Sequence, residues 1–276
     1  MSSDFNIPPD NFSSQPEPPR PEQIAVEEEK HTPVENPVWS GWDVLLIALI
    51  TVVLPSLLLL VTVNVVHKFF YPAIPLRQLG EKPILGLTAE LTAYVILLCF
   101  MVVLIEGKYQ TSFMKAIRWN WPWRWWNLVG LGVILLFAIQ GLGHVLPMPK
   151  GVPFDKYFGN TRDAYLTSIF AISFGPFMEE ILFRGLLYPV LARRIGMLAS
   201  IVITGIAFGM IHSIQLGFSW GPVLLICIVG IVLTTVRAVK KSVAASLIVH
   251  IAYNSTLTVL TFAITSGFRH LDKMMQ

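Results

Sequence analysis

Charge is what this chain has least of. Of its 276 residues only 13% are Asp, Glu, Lys or Arg, while 54% are hydrophobic, and a soluble globular domain carries about a quarter of its residues charged. This shortage excludes a water-soluble globule as the main body. With a formal net charge of +3 nothing in the chain implies nucleic acid as a partner. Cysteine is nearly absent as well. Cys99 and Cys227 each lie inside an apolar run, which fits packing residues better than a disulfide or a metal pair. No His-Glu-x-x-His run occurs, so the familiar helix-borne zinc motif is missing. The first residues also lack the basic start and short apolar core of a secretory signal, and they are too acidic for an organelle transit peptide.

Long apolar runs are what the chain does have. From Trp42 onward they recur with about 20 residues each, enough to cross a hydrocarbon core of about 30 Å as a helix. The spans expected are Trp42–Val66, Ile84–Ile105, Asn127–Leu146, Ala164–Val190, Met197–Ser213, Val223–Val239 and Val243–Gly267. The fold class is therefore all-α: a polytopic helical membrane protein with about seven to eight transmembrane helices. The fifth run is among the shortest.

Residues 1–40 differ from the rest. Eight prolines from Pro8 to Pro37 alternate with acidic residues such as Glu27, Glu28 and Glu29, a composition that cannot bury enough surface to fold alone. The domain reading is a disordered Pro-rich acidic tail over 1–40 and a helical membrane domain over 41–270. Between the second and third spans, Trp119, Trp121, Trp123, Trp125 and Trp126 interleave with Lys115, Arg118 and Arg124, the mixture that anchors a protein in the headgroup layer of a lipid bilayer. More Lys and Arg fall on the side of the tail, this loop, Arg193–Arg194 and Arg237–Lys241 than on the other. By the positive-inside rule the amino terminus is expected to be cytoplasmic, with the protein in the cell membrane.

Against this apolar background, a cluster of ionisable residues stands out, because such a side chain in a span costs a few kcal/mol and normally faces a cavity or a partner. The fourth span contains Glu179, Glu180 and Arg184. Residues four apart share a helix face, so Glu180 and Arg184 are natural salt-bridge partners, and Glu179, turned by about 100°, is the carboxylate left over. Pro176 just upstream loosens the helix and lets water approach. The fifth span ends in Phe208-Gly-Met-Ile-His212, and the last contains His250-Ile-Ala-Tyr-Asn254, whose two polar residues again share a face. Three helices converging on one pocket would supply what amide hydrolysis needs: Glu179 with His212 to activate water, His250 and Asn254 to donate to an oxyanion. Glu90 and His144 also lie in or near spans, but interhelical hydrogen bonding explains them as well, and they stay outside this site. Packing explains Tyr188 and Phe208.

The run Glu179-Glu180-x-x-x-Arg184, then Phe208-x-x-x-His212, then His250-x-x-x-Asn254, resembles the three motifs of the CAAX-protease and bacteriocin-processing family of intramembrane endopeptidases, also called the Abi family. The resemblance covers about Ile169 to Thr265. It implies a helical membrane core around a water-accessible cavity, with Glu179, His212, His250 and Asn254 as catalytic residues and Glu180 with Arg184 as a supporting pair. It also implies a peptide or protein substrate at the membrane, which in some members of the family is prenylated. Such enzymes were long described as metalloproteases. A zinc ion would take Glu179, His212 and His250 and leave a position for water, but these same histidines are wanted elsewhere in the reaction, and the expectation is no cofactor.

Two other readings compete with the peptidase. A non-catalytic membrane scaffold or bacteriocin-immunity protein would keep the same residues to tie helices together. A proton-coupled transporter would use them as a relay, although the polar residues crowd into one third of the chain with no counterpart in the other half.

Overall fold

The structure is a computed structural model that describes residues 35–271. Among these there are helices and no strands. In chain order they are α1 (Gly41–Phe69), α2 (Leu76–Gly80), α3 (Pro83–Tyr109), α4 (Phe113–Ala116), α5 (Trp125–Gly143), a 3-10 segment (Pro153–Phe158), α6 (Thr161–Ile172), α7 (Phe174–Glu179), a π-helical segment (Glu180–Leu187), α8 (Tyr188–Ile195), α9 (Met197–Ile211), α10 (Trp220–Lys240) and α11 (Val243–Ile264). Among the described residues six stretches are long and apolar enough to cross a membrane, the run Thr161–Ile195 counting as one, and α9 is a shorter apolar helix of 15 residues. Each span expected from the sequence falls on one of these helices to within a few residues. The chain is a polytopic helical membrane protein.

Local sequence sets the helix starts. The Ser40 hydroxyl accepts from the Asp43 amide while the Asp43 carboxylate accepts from the Ser40 amide, closing α1 with a reciprocal cap. Pro83 begins α3, where a missing N–H costs nothing. Ser242 caps α11 through the Ala245 amide.

The fourth span is broken in a way the site uses. α6 ends at Ser173, whose φ of −130° and ψ of −85° leave helical space, and Pro176 cannot donate to Ile172 across the break. The helix resumes as α7 and widens into the π-helical segment, which holds Glu180 and Arg184. Pro189 supplies a physical reason for the widening, since it has no N–H to complete the α-type bond to Gly185.

Two apolar cores flank this span. One joins Ile47 of α1 and Leu97, Met101 and Ile105 of α3 to Met178, Ile181 and Leu186. The other joins α5, α10 and α11 through Leu135, Leu233 and Val249 among others. With little hydrophobic drive between helices in lipid, close approach depends on small residues. On α9 these are Gly205 and Gly209: a Cβ on Gly205 would run into Ile231 Cγ1, and one on Gly209 into Cys227 Sγ and, at 2.8 Å, the Cys227 amide nitrogen. Gly209→Ala is expected to cost about 1–3 kcal/mol by overpacking and to lower the thermal midpoint of the purified protein in detergent. Gly141→Ala, where an added Cβ meets nothing within 4 Å, is the matched control, and equal midpoints for the two variants would refute this account of α9 packing.

The expected tail needs one correction at its end. Residues 1–34 lie outside the described residues, but Glu35 to Ser40, which composition groups with the tail, pack onto the helical body. Glu35 is 3% exposed and accepts hydrogen bonds from Arg118 and Arg237, each at 3.0 Å. Trp39 is buried and donates from its indole to the Leu186 carbonyl at 3.1 Å, while Arg193 donates to the carbonyls of Pro37 and Trp39. Composition could not show this because the partners lie 83 to 202 residues away in sequence. In the Trp-rich loop, Trp121, Trp123 and Trp126 are exposed, whereas Trp119 packs edge-on against Phe177 beside the first motif.

Candidate active site

The six motif residues come from three stretches of chain: the α7–π junction, the end of α9, and α11. Their local geometry differs sharply. Glu180 and Arg184 are completely buried. Glu180 Oε1 accepts from Arg184 Nη1 and from His250 Nδ1, each at 2.9 Å. Arg184 spends its other donors on α10, Nη2 to the Gly230 carbonyl at 2.9 Å and Nε to Thr234 Oγ1 at 3.2 Å. Its guanidinium lies over the Phe208 ring, 4.5 Å from the centroid. Each guanidinium nitrogen of Arg184 thus has a partner, its charge faces Glu180, and one of its faces lies on an aromatic ring, which offsets the cost of burying a cation.

Glu179 sits differently. Its side chain keeps 19% of its surface accessible, with His212 Nε2 at 3.8 Å from Oε1 and His250 Nε2 at 3.6 Å from Oε2. Both separations are too long for direct hydrogen bonds. The far side of each imidazole is tied down. His212 Nδ1 is 2.8 Å from the Phe208 carbonyl, one turn back on α9, and His250 Nδ1 is on Glu180. A carbonyl or a carboxylate can only accept, so in both rings Nδ1 carries the proton and Nε2 turns toward Glu179. Asn254 donates from Nδ2 to the Ala171 carbonyl at 2.7 Å, next to the break after α6. The second Nδ2 proton remains for other partners.

Glu179, His212, His250 and Asn254 line one cavity of about 400 Å³, together with Phe208. Phe208 therefore both packs, against Phe183, His212 and His250, and walls the site. Tyr188 is wholly buried in the core instead, and His144 is an exposed helix end outside the cavity lining. Glu90, set aside on sequence grounds, lines the cavity. Its spacing gave no signal, because α3 is remote in sequence from every motif. Thr234 and Gly230, which hold Arg184, were equally invisible, since a Thr and a Gly in a span usually serve packing.

Among the described residues no group of three or more His, Cys, Asp or Glu side chains is arranged to hold a metal ion.

Fold and site together define a multi-pass membrane protein with a carboxylate and two imidazoles gathered around an intramembrane cavity. Residues 161–256, a segment that includes all six motif residues, match the family model described as Type II CAAX prenyl endopeptidase Rce1-like. This is the CAAX-protease family that the motifs resemble, and the match points to protease activity on peptide or protein substrates at the membrane. No curated protein and no solved structure matches the chain.

Proposed function

We propose that the protein is an intramembrane endopeptidase of glutamic type. The observation that carries the reading is the convergence of His212 Nε2 and His250 Nε2 on the two oxygens of Glu179, at 3.8 and 3.6 Å. Neither imidazole is bonded directly to Glu179 at this separation, which leaves the three groups free to share a water held beside them in the cavity. Glu179, with the Nε2 lone pair of His212 beside it, takes a proton from that water as the water oxygen attacks the scissile carbonyl, and gives the proton to the amine nitrogen as the C–N bond breaks and the tetrahedral intermediate collapses. His250 in its imidazolium form donates from both nitrogens, Nδ1 to Glu180 and Nε2 into the cavity, and the second Asn254 N–H is the other donor for the developing oxyanion. Arg184 holds Glu180, and Glu180 holds the His250 ring. Glu180 and Arg184 position the catalytic groups without touching the substrate.

The substrates on this reading are prenylated or other membrane-associated proteins, met in the cell membrane by an enzyme whose amino terminus is cytoplasmic. The test is a comparison of membrane proteomes from cells carrying the intact chain or His212→Ala. New protein termini that require the intact chain support the reading, and identical termini in both reject it. The mechanism is also expected to be independent of metal. Cleavage by purified protein should be unchanged after EDTA or 1,10-phenanthroline treatment and dialysis, and a loss restored by added zinc would overturn that part.

A scaffold reading keeps one observation in its favour: His250 and Asn254 make hydrogen bonds that tie α11 to the fourth span. It expects His212→Ala to leave every terminus unchanged.

A further inference from the structure

The turn around Pro189 is short of hydrogen-bond donors. Before it the π-helical segment counts back five residues, so that the Tyr188 amide donates to the Phe183 carbonyl. After it α8 returns to the four-residue count of an α-helix. The change of count leaves a carbonyl over, and Pro189 has no N–H to offer. Within a membrane a buried carbonyl without a donor is costly, so a partner has to come from elsewhere in the protein.

That partner lies 147 residues earlier in the sequence. Trp39 is 1% exposed and donates from its indole N–H to the Leu186 carbonyl at 3.1 Å. Its own carbonyl accepts from Arg193 Nη2 at 3.3 Å, and the Pro37 carbonyl accepts from Arg193 Nη1 at 2.8 Å. Leu186 precedes Pro189 and Arg193 follows it, so the bonds made by Pro37 and Trp39 straddle the junction. Glu35 fixes the start of the same stretch through Arg118 and Arg237. The Trp39 ring packs in one core with Met178, Ile181 and Leu186, the first two being chain neighbours of Glu179 and Glu180.

Register matters here because of what the segment carries. A π turn holds one residue more than an α turn, so losing it would turn the flanking stretches against each other by about 100°. Glu180 and Arg184 belong to this segment, and the Glu180 oxygen that accepts from Arg184 also accepts from His250 Nδ1, each at 2.9 Å.

We propose that residues 35–39 are a splint across the π-to-α junction, and that Trp39 is a positioning residue which, through Leu186 and Glu180, sets the direction in which His250 Nε2 points into the cavity. The kinetic consequence rests on the peptidase reading, and a second readout tests the splint without cleavage.

In the full chain the Trp39 indole is replaced by benzothiophene through nonsense suppression, which keeps the ring shape and removes the N–H. Hydrolysis of an internally quenched, farnesylated peptide is followed in detergent. Solid-state NMR of the chain in lipid vesicles, with isotopically labelled histidine, follows the His250 Nδ1 resonance, identified as the one lost in His250→Ala. The expected results are a kcat lower by about three- to tenfold, the order of one buried hydrogen bond, and a displaced His250 resonance. KM should stay within about twofold of the parent, since Trp39 is not among the cavity-lining residues. The same replacement at Trp123, 95% exposed, should leave all three at the parent's values. Arg193→Gln frees the other end of the splint with the indole in place, and it should move kcat and the resonance in the same direction; it stands in if the benzothiophene chain does not fold. A lower melting temperature with kcat unchanged would make Trp39 a packing residue only and overturn the proposal. So would a raised KM with kcat intact, a lower kcat with the His250 resonance unmoved, or equal effects at Trp123. A resonance displaced as expected while the parent leaves the peptide intact retains the splint and counts against the peptidase reading.

Discussion

Glu179→Gln is expected to lower cleavage by roughly 10²–10⁴-fold, the usual worth of a positioned general base, while the purified protein melts at nearly the same temperature as the parent. The two halves of this expectation come from different features. Gln has the shape of Glu but no basic oxygen pair, so water activation fails. Stability is spared because Glu179 is partly accessible and stands 3.6 Å or more from both imidazoles, so no close ion pair is lost. Peptide cleavage and thermal unfolding measured on one preparation decide the matter. Full activity would sink the assignment of Glu179 as the base, and a large drop in melting temperature would favour the scaffold reading.

Arg184→Met should do the opposite, damaging the fold first. Arg184 and Glu180 both have 0% side-chain exposure, so removing the cation strands a buried carboxylate, a change that costs about 3–5 kcal/mol where it has been measured. The expected result is a sharply lower melting temperature and a poor yield of monodisperse protein. Activity falls as well, because the same Glu180 oxygen orients His250. Glu180→Gln combined with Arg184→Met removes both charges, and this pair should recover part of the lost stability without recovering activity. A single variant as stable as the parent would mean that the pair is not an ion pair in the folded protein.

The sequence made much of this arrangement legible, for identifiable reasons. Membrane helices announce themselves because lipid forces every backbone group to bond within its own segment, so runs such as Pro83–Tyr109 and Val243–Ile264 need no tertiary knowledge to locate. The pairing of Glu180 with Arg184 follows from helical spacing and survives the switch to π geometry. The switch itself was hidden, although Pro189 in hindsight gives the reason. Distant partners were hidden as well. That Glu180 would also hold His250, 70 residues away, that Asn254 would reach the Ala171 carbonyl, or that Glu90 would join the cavity wall depends on how helices lie side by side, and no local pattern encodes it. The packing of Glu35 and Trp39 escaped for the same reason, behind a proline-rich composition that reads as solvent-exposed.

The brevity of α9 has a consequence outside the protein. At 1.5 Å per residue its 15 residues rise to about 22 Å, well short of a hydrocarbon layer of about 30 Å. Local thinning of the bilayer is one response to so short a span, and His212 caps the C-terminus of α9, so a bilayer thinned there would shorten the path of water and of a substrate backbone to the imidazole. Thicker, sterol-rich bilayers would resist that thinning, so turnover in reconstituted vesicles should fall as acyl chains lengthen.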